Sequence, residues 1–179
     1  MIKREWLRFY KEAPERISRA KIIQSWDTAS KSGAQNDWSV CTTWLVLDKH
    51  YYLLDLRRGR FEYPQLRDAA IQLAAEFRPN AVLIEDASAG TALAQDIKRL
   101  VHVPVKLIRP EHDKIGRVYV QQAKFEQGLV LFPEGAPFLP ELLSELLTFP
   151  QGKHDDQLDS VSQALAFKSF GYDPTFSWL

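Results

Sequence analysis

The sequence lacks the features that define several common classes of protein. Its one cysteine, Cys41, cannot form an internal disulfide, which suits a reducing compartment such as the cytosol. No apolar run is long enough to span a bilayer, and the charged N-terminus has no apolar signal-peptide core. A GxxxxGKS or GxxxxGKT loop, a CxxC pair and an internal repeat are also missing. These absences exclude a P-loop nucleotide site, a CxxC-type zinc site and a repeat architecture in this chain.

The sequence also has no excess of charge of one sign. Lys+Arg and Asp+Glu each number 23, so the formal net charge is +0. A surface for nucleic acid would therefore be a local basic patch that acidic residues elsewhere offset. With 179 residues, of which 45% are hydrophobic and 12% aromatic, the chain is expected to fold as one domain with a sizeable core.

The hydrophobic pattern predicts strands and helices after a short N-terminal segment. Residues 1–20 mix aromatic and charged side chains and predict a linker-like arm, either a short helix or an extended segment, outside the core. Apolar and β-branched runs predict strands at 21–28, 38–48, 50–59, 80–86 and 103–110, and a short strand LVLF after Gly128. Helical periodicity predicts helices at 63–77, 89–101, about 113–127, 137–149 and 155–170. The sequence predicts a turn-rich loop at 30–37 and a tail at 171–179.

This order of elements predicts an α/β domain over residues 21–170, built on a mixed central sheet. The first three strands run antiparallel, and the later strands follow through βα crossovers that place helices on both faces. In sheets of this kind, ligand sites form at strand ends where the strand order changes direction. Polar side chains at the strand ends are therefore the candidates for a functional site.

Acidic residues occupy three such places. The first predicted strand ends at Asp27, the fourth ends at Glu85 and Asp86, and the last helix begins at Asp155 and Asp156. If the first and fourth strands are neighbours, Asp27 and Glu85 lie side by side, and the helix can deliver Asp156 as a third carboxylate. Carboxylates at that distance repel one another unless one is protonated or a divalent cation neutralises them. Two such ions about 4 Å apart would clamp the attacking and leaving oxygens of a phosphodiester.

Each acidic group also has an ordinary structural interpretation. The acids at both helix starts can be caps, and Asp27 can begin a turn. Asp159 lies three residues after Asp156 on the same helix face and is either a ligand or an exposed first-turn acid. A histidine in the position of His154 is more often a surface residue than a ligand. The joint pattern favours a site, because a buried strand that ends in two acids has more carboxylates than a cap requires.

Four segments of the chain form a combined pattern: IIQSWDTASKSGAQNDWSVCTTW, YYLLDLRRGRFEYPQL, AVLIEDASAGTAL and FPQGKHDDQLDSVSQAL. Together they resemble the C-terminal nuclease domain of the large terminase subunits of tailed phages and prophages. The resemblance covers roughly residues 1–168. It implies a ribonuclease-H-like fold, which agrees with the order of elements predicted above. The first residues of the chain, IKREWLRFY, resemble the segment that joins the motor domain of these subunits to the nuclease domain.

The resemblance implies which residues form the site. Asp27, Glu85 and Asp156 look like the catalytic acidic triad, which would hold two Mg²⁺ or Mn²⁺ ions. The family varies at the end of the fourth strand, where a second acid follows the first. Further candidate metal ligands are Asp155, Asp86 and His154.

The resemblance also implies a function. It points to a metal-dependent endonuclease that cuts concatemeric double-stranded phage DNA during genome packaging, in the cytoplasm of a bacterial host. The implied partners are DNA, the portal, the small terminase subunit and an ATPase motor domain, which this chain lacks because it has no P-loop. Two other functions stay open. One is a different ribonuclease-H-like DNA enzyme, such as a Holliday-junction resolvase or a transposase core, and the other is a non-catalytic docking module of the packaging motor.

Basic residues near these segments are candidate contacts to the DNA backbone. Lys114 and Arg117 lie one turn apart on a predicted helix and so share a face. An ordinary charged helix surface explains them as well. The remaining candidates are Arg109, Lys124, Arg57, Arg58 and Arg60.

Overall fold

The computed structural model describes residues 1–29, 38–87 and 89–168. The loop predicted at 30–37 and the tail predicted at 171–179 lie outside these residues. The strands are β1 (Arg8–Tyr10), β2 (Lys21–Asp27), β3 (Ser39–Leu47), β4 (His50–Gly59), β5 (Ala81–Glu85), β6 (Val105–Ile108) and β7 (Val130–Pro133). A 3₁₀ turn at Arg4–Trp6 precedes the α-helices, which are α1 (Tyr63–Phe77), α2 (Gly90–Leu100), α3 (Lys114–Glu126), α4 (Leu139–Thr148) and α5 (Asp156–Ala166). Within the described part of the chain, no helix is long and apolar enough to cross a membrane.

The described strands form one seven-stranded sheet in the order β1-β7-β4-β3-β2-β5-β6. β3 runs antiparallel to both of its neighbours, β2 and β4. Three further pairs are parallel: β5 with β2, β6 with β5, and β7 with β4. The predicted α/β fold with a mixed central sheet is therefore confirmed. From β2 the chain first adds β3 and β4 on one side of the sheet and then adds β5 and β6 on the other side. The strand order therefore changes direction between β2 and β5, where such sheets carry ligand sites.

Alternation along β2 and β5 assigns the side chains of these strands to the two faces of the sheet. Ile23 and Leu83 belong to the core beneath α3, α4 and α5, whereas Trp26 packs in the second core, beneath α1 and α2. Asp27 lies four residues after Ile23, and Glu85 lies two residues after Leu83. Both acidic side chains therefore lie on the face of the sheet that α5 covers.

The N-terminal arm is part of the folded core, so the expectation that residues 1–20 lie outside the core is wrong. β1 pairs in parallel with β7 at the edge of the sheet. Ile2, Trp6 and Leu7 are buried in the core beneath α3, α4 and α5. A three-residue strand is too short for its alternation to be recognised in the sequence, and its partner strand lies far along the chain.

Candidate active site

The carboxyl ends of β2 and β5 bring Asp27 and Glu85 together. The two strands pair in parallel with Trp26 aligned to Ile84, and the two acids are the next residues along the strands. The expectation that these strands are neighbours is therefore confirmed. Gly90, at the start of α2, packs tightly behind them, because a Cβ at this position would lie 2.1 Å from the carbonyl oxygen of Glu85.

Asp86 follows Glu85 but has other partners. Its carboxylate accepts hydrogen bonds from Arg109 Nε at 3.0 Å and from Thr91 Oγ1 at 3.0 Å. The Arg109 hydrogen bond, followed by that from Thr91, lowers the pKa of Asp86 below its usual value. Of the two acids at the end of β5, Glu85 is the one that shares a face with Asp27.

The start of α5 brings three more carboxylates to this corner of the sheet, from Asp155, Asp156 and Asp159. Asp155 is the N-cap residue, but its side chain makes no capping hydrogen bond. Capping therefore does not explain its presence. The side chain of Asp159 is only 9% exposed, so Asp159 is not an exposed first-turn acid.

A buried hydrogen-bond network ties α5 to β2 and β3. Ser160 Oγ donates to Ser25 O at 2.7 Å, Ser25 Oγ donates to Ser160 O at 2.8 Å, and Ser160 Oγ lies 2.7 Å from Thr42 Oγ1. Gln163 Nε2 donates to Trp26 O at 3.1 Å, one residue before the end of β2. The small serine side chains let the helix approach the sheet closely enough for these contacts. The network holds the acidic first turn of α5 in a fixed position relative to the end of β2.

Glu145 on α4 fixes the start of α5. Its carboxylate accepts hydrogen bonds from Leu158 N at 2.9 Å and from Gln157 Nε2 at 2.7 Å. A side chain of another helix thus satisfies a first-turn N–H group that an N-cap side chain usually satisfies. Burial raises the pKa of Glu145, while these hydrogen bonds oppose the rise. Sequence reasoning missed this residue, although an acid three positions after Leu142, on the apolar face of a helix, is a recognisable signal.

The concentration of negative charge affects the pKa of Asp27. Burial, followed by the charges of Asp159, Glu85 and Asp156, raises the pKa of Asp27 well above its usual value, and the charge of Lys114 opposes this rise. The three carboxylates predicted to act together are therefore close enough to interact electrostatically. Asp159, for which the sequence left open a role as a ligand or as an exposed acid, has the largest of the charge effects on the pKa of Asp27.

Asp156 experiences both acidic and basic neighbours. Burial and the charge of Asp155 raise the pKa of Asp156, whereas Arg58, Lys114 and His154 lower it. The guanidinium NH2 of Arg58 lies 3.9 Å from Asp156 Oδ2. His154 is exposed, and it is the last and smallest of the groups that lower the pKa of Asp156.

Lys114 and Arg117 point into the acidic cluster. Lys114 Nζ lies 2.7 Å from Asp155 Oδ1 and 2.6 Å from Asp159 Oδ2, and Arg117 NH2 lies 2.8 Å from Asp159 Oδ1. Burial acts to lower the pKa of Lys114, but the hydrogen bonds to the two carboxylates raise it overall. The two residues share a helix face, as predicted, but that face meets α5. Contact of these residues with DNA stays a prediction, and it requires them to leave the carboxylates.

Arg58 and Arg60, two other residues predicted to contact DNA, stack on one aromatic ring. The guanidinium carbons of Arg58 and Arg60 lie 4.2 Å and 4.3 Å from the centroid of the Trp38 ring. Arg58 also forms an ion pair with Glu141, and its side chain is only 10% exposed. Arg58 is therefore placed to hold Asp156, whereas Arg60 is exposed.

The remaining candidate DNA contacts are Lys124, Arg57 and Arg109, and each has different surroundings. The half-buried Lys124 donates to Leu165 O at 2.6 Å. Arg57 pairs across the sheet with Cys41, which belongs to the core beneath α1 and α2, so Arg57 lies on the face opposite the acids. The side chain of Arg109 is 88% exposed.

A groove with a volume of about 770 Å³ opens beside the acids, between β6, α3 and α5. Glu85 and Asp159 lie on its wall. Its basic side chains come from Lys106, Arg109, Arg117, Lys124 and Lys168. The groove therefore joins the acidic corner to a basic surface.

The donor chemistry of this corner fits a hard divalent cation. Mg²⁺ and Mn²⁺ take carboxylate oxygens, and burial, followed by the charges of Asp159, Glu85 and Asp156, raises the pKa of Asp27, an effect that a bound cation would oppose. Among residues 1–29, 38–87 and 89–168, however, no three His, Cys, Asp or Glu side chains converge closely enough to hold one metal ion. Two of the carboxylates at this corner, those of Asp155 and Asp159, are bonded to Lys114.

Two neighbouring parallel strands end in acids, and a helix packed across the sheet adds further acids. This arrangement is that of a ribonuclease-H-like domain with a carboxylate site. The family model described as "Terminase RNaseH-like domain" matches residues 24–167. The chain belongs to this family, which confirms the resemblance found in the sequence. No curated protein matches the chain.

Solved structures with the same fold include terminases or terminase nucleases from two thermophilic phages and from human cytomegalovirus. The large terminase nuclease from thermophilic phage G20c with bound zinc is 16% identical, with a TM-score of 0.68 over 92% of this chain and 96% of that chain. The human cytomegalovirus terminase nuclease domain, manganese-soaked and inhibitor-bound, is 12% identical, with a TM-score of 0.64 over 91% and 92% of the two chains. A large terminase from another thermophilic bacteriophage, in complex with ADP, is 12% identical, with a TM-score of 0.68 over 92% of this chain and 43% of that chain. At these identities the likeness establishes the ribonuclease-H-like terminase fold.

Proposed function

We propose that this chain is a divalent-metal-dependent endonuclease that cleaves double-stranded, concatemeric phage DNA during genome packaging. The observation that carries the proposal is the meeting of Asp27 and Glu85, at the ends of paired parallel strands, with the acidic first turn of α5. The interaction of Asp27 with Glu85, Asp156 and Asp159 supports a shared site. Membership of the terminase RNaseH-like family supports the same reaction.

Asp27, Glu85 and Asp156 are the proposed metal ligands. Two bound Mg²⁺ or Mn²⁺ ions would supply Lewis acidity to the attacking water and to the leaving oxygen of the phosphodiester. Asp27 and Glu85 are held by strands inside the sheet, so their positions are well defined. Asp156 is held by the network that fastens α5 to the sheet, with Arg58 beside it. Asp155 and Asp159 are the next carboxylates available to the ions.

The basic groove is the proposed path of the DNA backbone. Arg109 is highly exposed and lies on the wall that Glu85 and Asp159 share. Phosphate contacts by such side chains make affinity independent of sequence and strongly dependent on salt. The chain has zero net charge, so a surface that binds DNA has to be a local concentration of basic residues. The groove is such a concentration.

The wider assembly is also part of the proposal. The chain spans 43% of the phage large terminase that was solved with ADP. We infer that an ATPase motor domain, the portal and the small terminase subunit work with this domain, in the cytoplasm of the bacterial host. The chain itself carries no P-loop.

The test is incubation of the protein with supercoiled plasmid and Mn²⁺, with and without a chelator. We expect nicked and linear products with Mn²⁺, none with the chelator, and none from Asp27→Asn under either condition. Cleavage that survives the chelator, or that Asp27→Asn retains, would contradict the proposal. Comparing linear duplex with a four-way junction of the same sequence separates this function from that of a resolvase, which would prefer the junction.

The contacts of Lys114 favour one second candidate, a non-catalytic docking module of the packaging motor. The ammonium already bridges Asp155 and Asp159, and the described carboxylates do not converge on a metal position. A docking module would show neither cleavage nor stabilisation by Mn²⁺ in the experiment above. Stabilisation by Mn²⁺ that depends on Asp27 would reject this candidate.

A further inference from the structure

Lys114 occupies the position of a cation between two carboxylates of the proposed site. Its Nζ lies 2.7 Å from Asp155 Oδ1 and 2.6 Å from Asp159 Oδ2, so a single ammonium bridges the N-cap residue and the first turn of α5. Its charge also reaches Asp27 and Asp156, where it counters the effect of the acidic neighbours. One side chain therefore acts electrostatically on four carboxylates.

The start of α3 determines the position of Lys114 beside the acids. Asp113 caps α3, because its Oδ1 accepts a hydrogen bond from Gly116 N at 2.8 Å. The cap makes Lys114 the first residue of α3, and α3 packs against α5. Arg117, one turn further on, holds the other oxygen of Asp159 at 2.8 Å. Lys114 is thus directed at the acids by the helix that carries it.

We propose that Lys114 is an internal counterion that holds the carboxylates of the metal-free site and competes with the divalent cation for them. This inference rests on the proposed function, because it concerns the same metal site. An ammonium and a divalent ion of the same sign repel each other at short range, so both cannot share Asp155 and Asp159 in this geometry. A divalent ion can therefore take Asp155 and Asp159 in addition to Asp27, Glu85 and Asp156 only after the Lys114 side chain has moved away.

The same contacts take two carboxylates out of the set that a metal ion could use. With Asp155 and Asp159 bonded to Lys114, a metal position would keep only the oxygens of the remaining acids. The counterion also relieves the repulsion that crowded carboxylates would otherwise cause in the metal-free protein. Lys114 is therefore a positioning residue that stabilises the metal-free state and weakens metal binding.

The experiment measures Mn²⁺ affinity and metal-free stability in Lys114→Met, which keeps an unbranched side chain but removes its charge. We expect Mn²⁺ to bind about tenfold more tightly than to the wild type, equivalent to about 1.4 kcal/mol. The melting temperature without metal should fall, and Mn²⁺ should raise it by more than it raises that of the wild type. Calorimetric titration and thermal unfolding give both readouts without an activity assay.

Three matched variants make the result decisive. Lys114→Arg keeps the charge and should bind Mn²⁺ with wild-type affinity. Lys124→Met removes a lysine from the same helix whose Nζ bonds to Gln121 Oε1 and Leu165 O rather than to an acid, and should also leave the affinity unchanged. Equal or weaker binding by Lys114→Met, with binding lost in Asp27→Asn, would overturn the inference and leave the proposed function intact. Wild-type binding by Asp27→Asn would instead place the metal elsewhere and overturn both.

Discussion

Asp27 is a carboxylic acid that the fold surrounds with other carboxylates. Burial and the charges of Asp159, Glu85 and Asp156 raise its pKa in the folded protein. Between the ordinary pKa of an aspartate, about 3.9, and this raised value, the folded state binds more protons than the unfolded state. The stability of the metal-free protein therefore falls as the pH rises through that interval.

We predict that the melting temperature of the metal-free wild type falls more steeply above about pH 4 than that of Asp27→Asn, which has no proton to lose. A metal ion needs the ionised carboxylate, so the stabilisation by Mn²⁺ should grow with pH. At one hundred times the dissociation constant it amounts to about 2.7 kcal/mol, or roughly 5–10 °C for a domain of this size. Thermal unfolding with and without Mn²⁺, across a pH series, measures both effects. Equal pH slopes for the two proteins would show that Asp27 ionises normally.

Part of the comparison between Glu85 and Asp86 could have been made from the sequence. Alternation indicates that adjacent residues of a strand lie on opposite faces, but only the register that aligns Trp26 with Ile84 puts Glu85 on the face of Asp27. The contacts of Lys114 could not have been predicted in this way. A spacing of three residues shows that Lys114 and Arg117 share a face, but it does not show which element that face meets.

At the scale of the elements, α5 is positioned by polar contacts as well as by apolar packing. Ser160 bonds to the backbone or side chains of Ser25 and Thr42, deep between the helix and the sheet. All three residues are fully buried. Because Asp156 and Asp159 lie within one turn of Ser160, a shift of the helix at this point moves the acids relative to Asp27.

We predict that Ser160→Ala lowers the free energy of unfolding by about 1–3 kcal/mol, because buried polar groups of Ser25 and Thr42 lose a partner. Plasmid cleavage should fall as well, since α5 loses part of its attachment to the sheet. Denaturant unfolding and the cleavage assay check the two effects.

Ser162→Ala is the matched control for this prediction. Its hydroxyl is equally buried, but among the described residues it donates to Asp159 O alone, at 3.1 Å, within the same helix. It should cost less stability and leave cleavage near the wild-type level. If the two serine variants behave alike, the network between α5 and the sheet does not position the acids.

The long, periodic elements and the short apolar strands β6 and β7 could be predicted from the sequence, whereas β1 could not. α1 has its predicted bounds, because apolar residues recur at helical spacing over its whole length. β1 was missed because three residues at a sheet edge carry no recognisable period. The network of Ser25, Thr42 and Ser160 was also missed, because polar residues inside strands and helices do not reveal their partners.

At the scale of the whole molecule, the N-terminal arm completes the core on the edge of the sheet opposite β6. Trp6 is 9% exposed and packs in the core beneath α3, α4 and α5, whereas Phe9 in the same arm is 42% exposed. We predict that Trp6→Ala lowers the free energy of unfolding by about 3–5 kcal/mol, the usual cost of removing a buried aromatic side chain. Phe9→Ala should cost clearly less, as measured by denaturant unfolding. Equal losses would mean that the arm is not anchored through Trp6.

The central claim is that the ends of β2 and β5, together with the start of α5, form the nuclease site. The most direct measurement compares cleavage of supercoiled plasmid in Mn²⁺ by Glu85→Gln and by Asp86→Asn, two adjacent acids of which only Glu85 shares a face with Asp27. The account predicts that Glu85→Gln loses at least about a hundredfold in rate. Asp86→Asn, whose side chain bonds to Thr91 and Arg109, should keep most of its activity. Wild-type cleavage by Glu85→Gln, or an equal loss in both variants, would contradict the account.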